Sequence, residues 1–373
     1  MRASIDSTNS ADSIPSFLPK LQPLHLALLK YSSKFMRFLS NNAILRLPKE
    51  PILSSEYNLI PMGYFLSHCF LSRLQPGIVP LSDMAGEIVA IGSEVTNFSV
   101  GDRICANPAM PGFVFGDLGA EVDGVLAEFR LFDADPYRLV KFPDHLTYRE
   151  ASTLPCAVQT AYTCLHGPVP VKRGDVVLVQ GTSGVSIAVL QFACAMGATV
   201  IVTSSSDEKL KVAETLGAQH GINYNVTPQW EEEVMKITNG KGANFVIDVG
   251  LLFFDANITD HNIVDIQFGG GSTLIQSLKA CAIGGWVQLV GVMGYGDADL
   301  KTLPLLAISK NLCMQGVLIS GVDRFIQMNQ LIDLLKWRPY IDKEFTFEKA
   351  ADAFRYMDGR SHVGKVVIQV SRD

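Results

Sequence analysis

Gly181, Thr182, Ser183 and Gly184 form a run of small residues between an apolar β-rich segment (176–179) and an apolar segment of helical length; a second β-rich run follows at 199–202. Strand, tight turn, helix and strand within about 30 residues make the βαβ unit that holds a dinucleotide. The chemistry on offer is anion binding. A tight turn that opens a helix leaves backbone N–H groups without partners, and these and the helix dipole point at a pyrophosphate. The full glycine fingerprint would have glycine at 181, 183 and 186, but Ser183 and Ser186 hold the last two places. Ser183 puts a Cβ where the backbone should approach the phosphates.

The second strand ends in Thr203-Ser204-Ser205-Ser206. A unit that binds NAD places a carboxylate there to hold the ribose 2′-hydroxyl. Here the first acids come later, at Asp207 and Glu208, and Lys209 follows. A neutral serine tip beside a lysine suits a 2′-phosphate, so NADP(H) is the expected cofactor. The same serines and Asp207 are also good N-caps for the next helix, and both roles are compatible.

The chain has 373 residues and is 48% hydrophobic, enough for two domains with large cores. A net charge of −6 and the lack of a long basic run argue against nucleic acid. No stretch reaches the roughly 18 uninterrupted apolar residues of a membrane span. The seven cysteines are odd in number and never at CxxC spacing, so they read as apolar thiols of a cytoplasmic protein. Residues 1–19 are rich in Ser and Pro and read as disordered, and 20–49 carry basic residues and serines without an acid. That composition resembles a mitochondrial transit segment, although Asp6 and Asp12 precede it.

Several elements must position these groups. Short apolar runs at 78–80, 87–92, 100–104 and 128–132, punctuated by Gly and Asp, predict strands of a small barrel. Residues 148–165 predict a helix entered through Thr147 and containing Pro155. From Gly174 the pattern alternates. Strands are expected at 176–179, 199–202, 221–223, 244–249, 286–292 and 312–318, with helices near 184–196, 207–216, 228–238, 272–282 and 302–309. This alternation predicts an α/β fold with a doubly wound parallel sheet. The chain then returns through helices at 325–335 and 347–356 to a last strand at 365–370, so its tail is expected to complete the first domain.

The segments PLSDMAGEIVAIGSEVTNFSVGDRI (80–104), GVLAEFRLF (124–132), FPDHLTYREASTLPCAVQTAY (142–162), GDVVLVQGTSGVS (174–186), SSSDEKL (204–210), GAQHGINY (217–224) and HVGKVVI (362–368) occur in an order that resembles the medium-chain dehydrogenase/reductase superfamily. Within it they are closest to the zinc-free branch of quinone-reductase-like and alcohol-dehydrogenase-like proteins. The resemblance covers roughly residues 76–373. It implies a GroES-like substrate domain (76–165, completed by 321–373) and a Rossmann NADP-binding domain (166–320), with nicotinamide and a small-molecule substrate meeting in the cleft. It also implies hydride transfer between NADPH and a carbonyl, a quinone or an activated alkene.

The resemblance assigns residues as well. Thr160 matches the family threonine near the nicotinamide ribose, or is simply a helix threonine bonding its own backbone. Gly181, Ser183, Gly184 and Val185 match the pyrophosphate turn. Ser204, Ser205, Lys209 and Tyr224 match the grip on the 2′-phosphate, with a strand-end core tyrosine as the other reading of Tyr224. Gly291 and Val292 end a strand at the cofactor edge, and Ile319 and Ser320 pass beside the nicotinamide. Lys365 follows the closing glycine and reads as a solvated strand lysine. Zinc-dependent relatives carry Gly-His-Glu where this chain has Leu81-Ser82-Asp83, and no four-cysteine lobe follows Arg103. The remaining ligands are too few for Zn²⁺, so no metal is expected.

Two stretches depart from the resemblance. Residues 1–75 match neither the first barrel strands nor the Asn-Tyr-x-Asp segment that lines the active site of relatives, which leaves the catalytic residues unassigned. Residues 251–268 read as an insertion, because removing them joins 245–250 to 269–274 in the family's strand–glycine–helix junction. The insertion is a lid over the cofactor mouth or an in-frame retained intron. Three functions stay open: an NADPH-dependent oxidoreductase, a catalytically impaired NADP-binding protein, and an enoyl reductase of a biosynthetic pathway. A homodimer is expected through the apolar last strand of the nucleotide sheet, since exposed edges need covering.

Overall fold

The computed structural model describes residues 42–46, 52–54, 78–108, 118–119, 122–249, 271–290 and 300–370. Its first strands are β1 (Asn42–Arg46), β2 (Ile52–Ser54), β3 (Ala85–Ile91), β4 (Arg103–Ala106), β5 (Phe129–Asp133) and β6 (Leu139–Lys141). Five of these form one antiparallel sheet in the order β5-β1-β3-β4-β6.

This sheet corrects the expectation that the barrel lacks its first strands. β1 runs between β3 and β5, with Ala43 opposite Ile91 and Phe132. Ladder pairing is made by backbone N–H and C=O groups and needs no side-chain motif, so the missing motif did not imply a missing strand. Residues 78–80, expected as a strand, are irregular. They are tied to the neighbouring loop, where Asp123 accepts the Val79 amide at 2.9 Å.

The expected helix over 148–165 is broken. Thr147 caps α1 (Tyr148–Ala151) through a reciprocal box with Glu150. A π-helical turn (Leu154–Val158) then carries Pro155, and α2 (Gln159–Leu165) completes the segment. Proline has no N–H for the regular ladder, and a π turn is one way to accommodate the loss.

The nucleotide region alternates as its sequence predicts: β7 (Val176–Gln180), α3 (Gly184–Ala195), β8 (Thr199–Ser204), α4 (Asp207–Thr215), β9 (His220–Asn223), α5 (Trp230–Ile237), β10 (Ala243–Val249), α6 (Gly271–Ala280), β11 (Cys281–Val290), α7 (Leu303–Ser309) and β12 (Cys313–Val317). The six strands form one parallel sheet in the order β12-β11-β10-β7-β8-β9. Val177, Leu178 and Val179 are fully buried at its centre, as befits a strand covered on both faces. β11 starts five residues before the expected 286 and takes the end of the expected 272–282 helix.

The chain returns through α8 (Val322–Leu335), β13 (Ile341–Thr346), α9 (Ala350–Asp358) and β14 (Lys365–Gln369). β14 pairs parallel with β13 and antiparallel with β2. Ala353, Met357, Val366 and Ile368 share one buried apolar cluster with Met84, Ile88 and Ile104, so the tail packs into the core behind β3 and β4. Residues 251–268, the inserted stretch of the sequence, lie outside the described residues.

Candidate functional site

In a parallel sheet every strand ends at the same edge, and ligands bind there, where the strand order reverses. The reversal here lies at β7, flanked by β8 on one side and β10 on the other. The small-residue turn leaves β7 at that point. Gly181 sits at φ +71°, a left-handed conformation that favours glycine. Its amide donates to the Thr203 carbonyl at 2.8 Å, which fastens the turn to the end of β8.

The two serines at glycine positions have a structural use. Ser186 donates to the Gln180 carbonyl at 2.7 Å, and Ser183 Oγ stands 3.1 Å from Ser186 Oγ. The pair clamps strand to helix where a third glycine would otherwise let them pack. Ser183 is the N-cap of α3 but its side chain accepts no capping bond, and the first turn of α3 holds no acid. The first amides of a helix have no intrahelical partner. Gly184 and Val185 are buried at this start, so the turn presents unpaired donors and the positive end of the dipole.

The residues expected to meet the ribose phosphate gather around β8. Ser204 is 3% exposed and its hydroxyl accepts the Ser206 amide at 3.4 Å, so it is turned into the strand end, while Ser205 is exposed. Ser206 caps α4 by accepting the Lys209 amide. The Tyr224 amide donates to the Ser204 carbonyl at 3.0 Å, and the Tyr224 side chain packs on the buried cluster around Leu178 and Ile222. The strand-end core role of Tyr224 is therefore filled. Lys209 extends across the groove and its ammonium donates to the Arg360 carbonyl. Burial lowers the Lys209 pKa, with the Asp342 carboxylate opposing.

A second group stands at the ends of α2 and β12. Thr160 is buried in α2. Its neighbours Gln159 and Thr163 reach the segment after β12: Gln159 Nε2 donates to the Ser320 carbonyl at 2.7 Å, and Thr163 Oγ1 lies 2.8 Å from Ser320 Oγ. Ile319 is half-buried beside them. Val290 pairs with Val317, so the end of β11 lies against the end of β12; Gly291 and Val292 lie outside the described residues.

Sequence reasoning missed the segment after α9. Arg360 adopts φ +51°, and the Gly364 amide donates to the Thr182 carbonyl at 2.9 Å, with Ser183 and Gly364 in a parallel bridge. Residues 360–364 thus run from Lys209 to the small-residue turn after β7. The order of HVGK gave no sign of this, because its partners lie some 180 positions earlier.

Lys365 is not a solvated strand lysine. It is 2% exposed and its ammonium meets Asp83 Oδ2 at 3.2 Å. A buried cation needs a counter-charge, and Asp83 supplies it from the stretch where zinc-dependent relatives carry Gly-His-Glu. Leu81 holds φ +74°, a conformation natural to the glycine of that motif. Ser82 Oγ stands 3.5 Å from Asp83 Oδ1.

The alcohol dehydrogenase GroES-like domain family matches residues 57–144, and the zinc-binding dehydrogenase family matches 184–251. The first match begins before residue 76 and so corrects the expectation that 1–75 is wholly unlike the family. A zinc-type alcohol dehydrogenase-like protein of Schizosaccharomyces pombe is 36% identical over 310 residues, covering 80% of this chain and 83% of its own. The quinone oxidoreductase-like protein 2 of Bos taurus is 27% identical, covering 81% and 79%. The crystal structure of an alcohol dehydrogenase candidate from Sinorhizobium meliloti 1021 superposes with a TM-score of 0.73 at 32% identity, covering 88% of this chain and 91% of that one. With a GroES-like sheet, a six-stranded Rossmann sheet and a small-residue turn at the strand-order reversal, this chain belongs to the medium-chain dehydrogenase/reductase superfamily of oxidoreductases.

Proposed function

We propose that the chain is a zinc-independent, NADPH-dependent oxidoreductase that moves a hydride to or from a small carbonyl, quinone or activated alkene. The observation that carries the reading is the rim of the groove. From Gly181 through Ser206 it offers turn amides and hydroxyls and no carboxylate, and Lys209 closes it against residue 360. Asp207 and Glu208 begin the next helix, and Glu208 is turned onto Ser206 at 2.6 Å. A 2′-phosphate would meet donors there, whereas a ribose diol would lack its usual acidic acceptor.

When bound, the nicotinamide supplies the hydride. The chain's own contribution is to hold the dinucleotide on the α3 amides and Lys209, and to fix the α2–Ser320 wall beside the expected place of the nicotinamide. Position 82 is a serine and Asp83 is engaged by Lys365, so a Lewis acid has little to bind there. Stabilisation of a developing oxyanion then rests on positioning and hydrogen bonds.

Fluorescence titration with NADPH, combined with turnover of a quinone and an enal, tests the reading. Tight NADPH binding with turnover of either substrate supports it. Binding without turnover of any carbonyl, quinone or enal would instead favour a catalytically impaired nucleotide-binding protein.

A further inference from the structure

His362 lies midway along the 360–364 segment, two residues after Arg360, whose carbonyl receives Lys209, and two before Gly364, whose amide holds Thr182. The segment is thus pinned at both ends to the nucleotide groove. The imidazole is half-buried and its Nδ1 is enclosed without a hydrogen-bond partner. An enclosed polar nitrogen left unpaired beside a ligand groove calls for a partner from the ligand.

The charges around the ring identify that partner. Lys209 on α4 and Lys365 on β14 both act on the imidazole, and Asp342 on β13 acts in the opposite sense. Tyr356 on α9 stands with its ring centroid 6.4 Å away, and its hydroxyl donates to Asp342 at 2.7 Å. Asp342 is thereby partly occupied, and Lys365 is held by Asp83. Burial and the two lysines push the imidazole down to about 4, so it is neutral near pH 7.

Resting on the NADP reading above, we infer that His362 is a phosphate-binding residue of this site, taking up a proton from solvent as the cofactor's 2′-phosphate enters between it and Lys209. A phosphate brings a charge of roughly −1.5 to −2 and three acceptor oxygens. It neutralises the lysines that disfavour the imidazolium and receives a charge-assisted bond from Nδ1–H. One proton leaves solvent, one N–H forms, and no other bond changes. The selectivity of the site for the phosphorylated nucleotide therefore grows as pH falls.

Calorimetric titration of the full chain tests this, with NADPH, NADH and 2′,5′-ADP in two buffers of different ionisation heat. The parent should take up more protons per phosphorylated ligand than His362→Asn, and the two should match with NADH. Taken relative to His362→Asn, so that the 2′-phosphate's own titration near pH 6 cancels, the NADPH-over-NADH affinity ratio of the parent should rise about twofold to tenfold from pH 8 to pH 6 for a pKa lifted by about 2–3 units. His362→Gln provides the same comparison if His362→Asn does not fold. Equal proton counts in parent and variant, or a ratio that is flat or falls, with NADPH still preferred, would overturn the role of His362 alone. No preference for NADPH at any pH would overturn the cofactor reading, and the role of His362 with it.

Discussion

Lys365 Nζ lies 3.2 Å from Asp83 Oδ2, and the two side chains are 3% and 1% exposed. The ion pair joins the strand that ends the chain to the segment entering β3. It also fixes Lys365 next to Gly364, whose amide donates to the Thr182 carbonyl in the turn after β7. One contact therefore links the GroES-like core to the rim of the nucleotide groove.

Removing one partner takes from the other the buried counter-charge of this pair, and breaking a buried pair costs about 3–5 kcal/mol. Lys365→Met and Asp83→Asn should each lower the melting temperature sharply. The double variant Asp83→Leu with Lys365→Met should recover a good part of the loss. Denaturant unfolding measures all three. Single variants as stable as the parent would contradict the pairing.

NADPH should bind at least about tenfold tighter than NADH, or about 1.4 kcal/mol. Lys209→Ala should erase most of that difference by removing a charge-assisted phosphate contact, with little change for NADH. Equal affinities for the two cofactors in the parent would reject the assignment of the 2′-phosphate site.

The alternating elements from β7 to β12 were legible because their apolar residues recur at strand or helix spacing between turns of small and polar residues, and a local pattern suffices to place them. The same holds for the cap at Thr147. What was not legible depends on distant partners. β13 (IDKEFT) carries three charges in six residues and reads as a loop until β14 is known to lie beside it. Lys365 read as solvated because its counter-charge lies 282 positions away. The 360–364 segment was hidden for the same reason: nothing in a short stretch shows which turn it will face. Pro155 was visible, but whether it would kink, end or bulge its helix was set by the packing around it.

Metal analysis of the purified protein should find well under one equivalent of zinc, and chelators should leave NADPH binding unchanged. The ground is chemical: Ser82 and a lysine-paired Asp83 replace a His-Glu pair, and Zn²⁺ sites are built from Cys, His and carboxylate ligands. A stoichiometric zinc that survives dialysis would sink this expectation.

β12 is the outermost strand of the nucleotide sheet. Met314 and Leu318 are exposed there, and Ile283, Leu305 and Ile308 are exposed on the elements next to it. An apolar, open edge invites pairing, and a second copy can satisfy it by a two-fold axis that continues the sheet. Light scattering at micromolar concentration should report a dimer. Met314→Lys, which puts a charge on that exposed edge, should shift it toward monomer. A parent that is monomeric at that concentration would contradict the proposal.

Asp248 gives a pH dependence with a definite sign. It lies near the carboxyl end of β10, is 5% exposed, and accepts a hydrogen bond from Ser277 Oγ at 2.8 Å, which is itself bonded by Gln180 at 2.6 Å. Burial lifts its pKa from 3.8 to about 6, against the opposing pull of the Ser277 and Gln180 hydrogen bonds. Between those values the folded protein holds a proton that the unfolded chain has released. Stability from this group is therefore fully present below about pH 4 and is lost as pH rises through about 6. The shift of roughly two units sets an upper bound of about 3 kcal/mol. Asp248→Asn keeps the shape without the charge, so it should flatten this part of the stability profile and raise stability at pH 7.5 relative to the parent. Urea unfolding of both proteins at pH 5 and pH 7.5 makes the comparison. A difference between parent and variant that does not grow with pH would show that Asp248 keeps an ordinary carboxylate pKa in the folded chain.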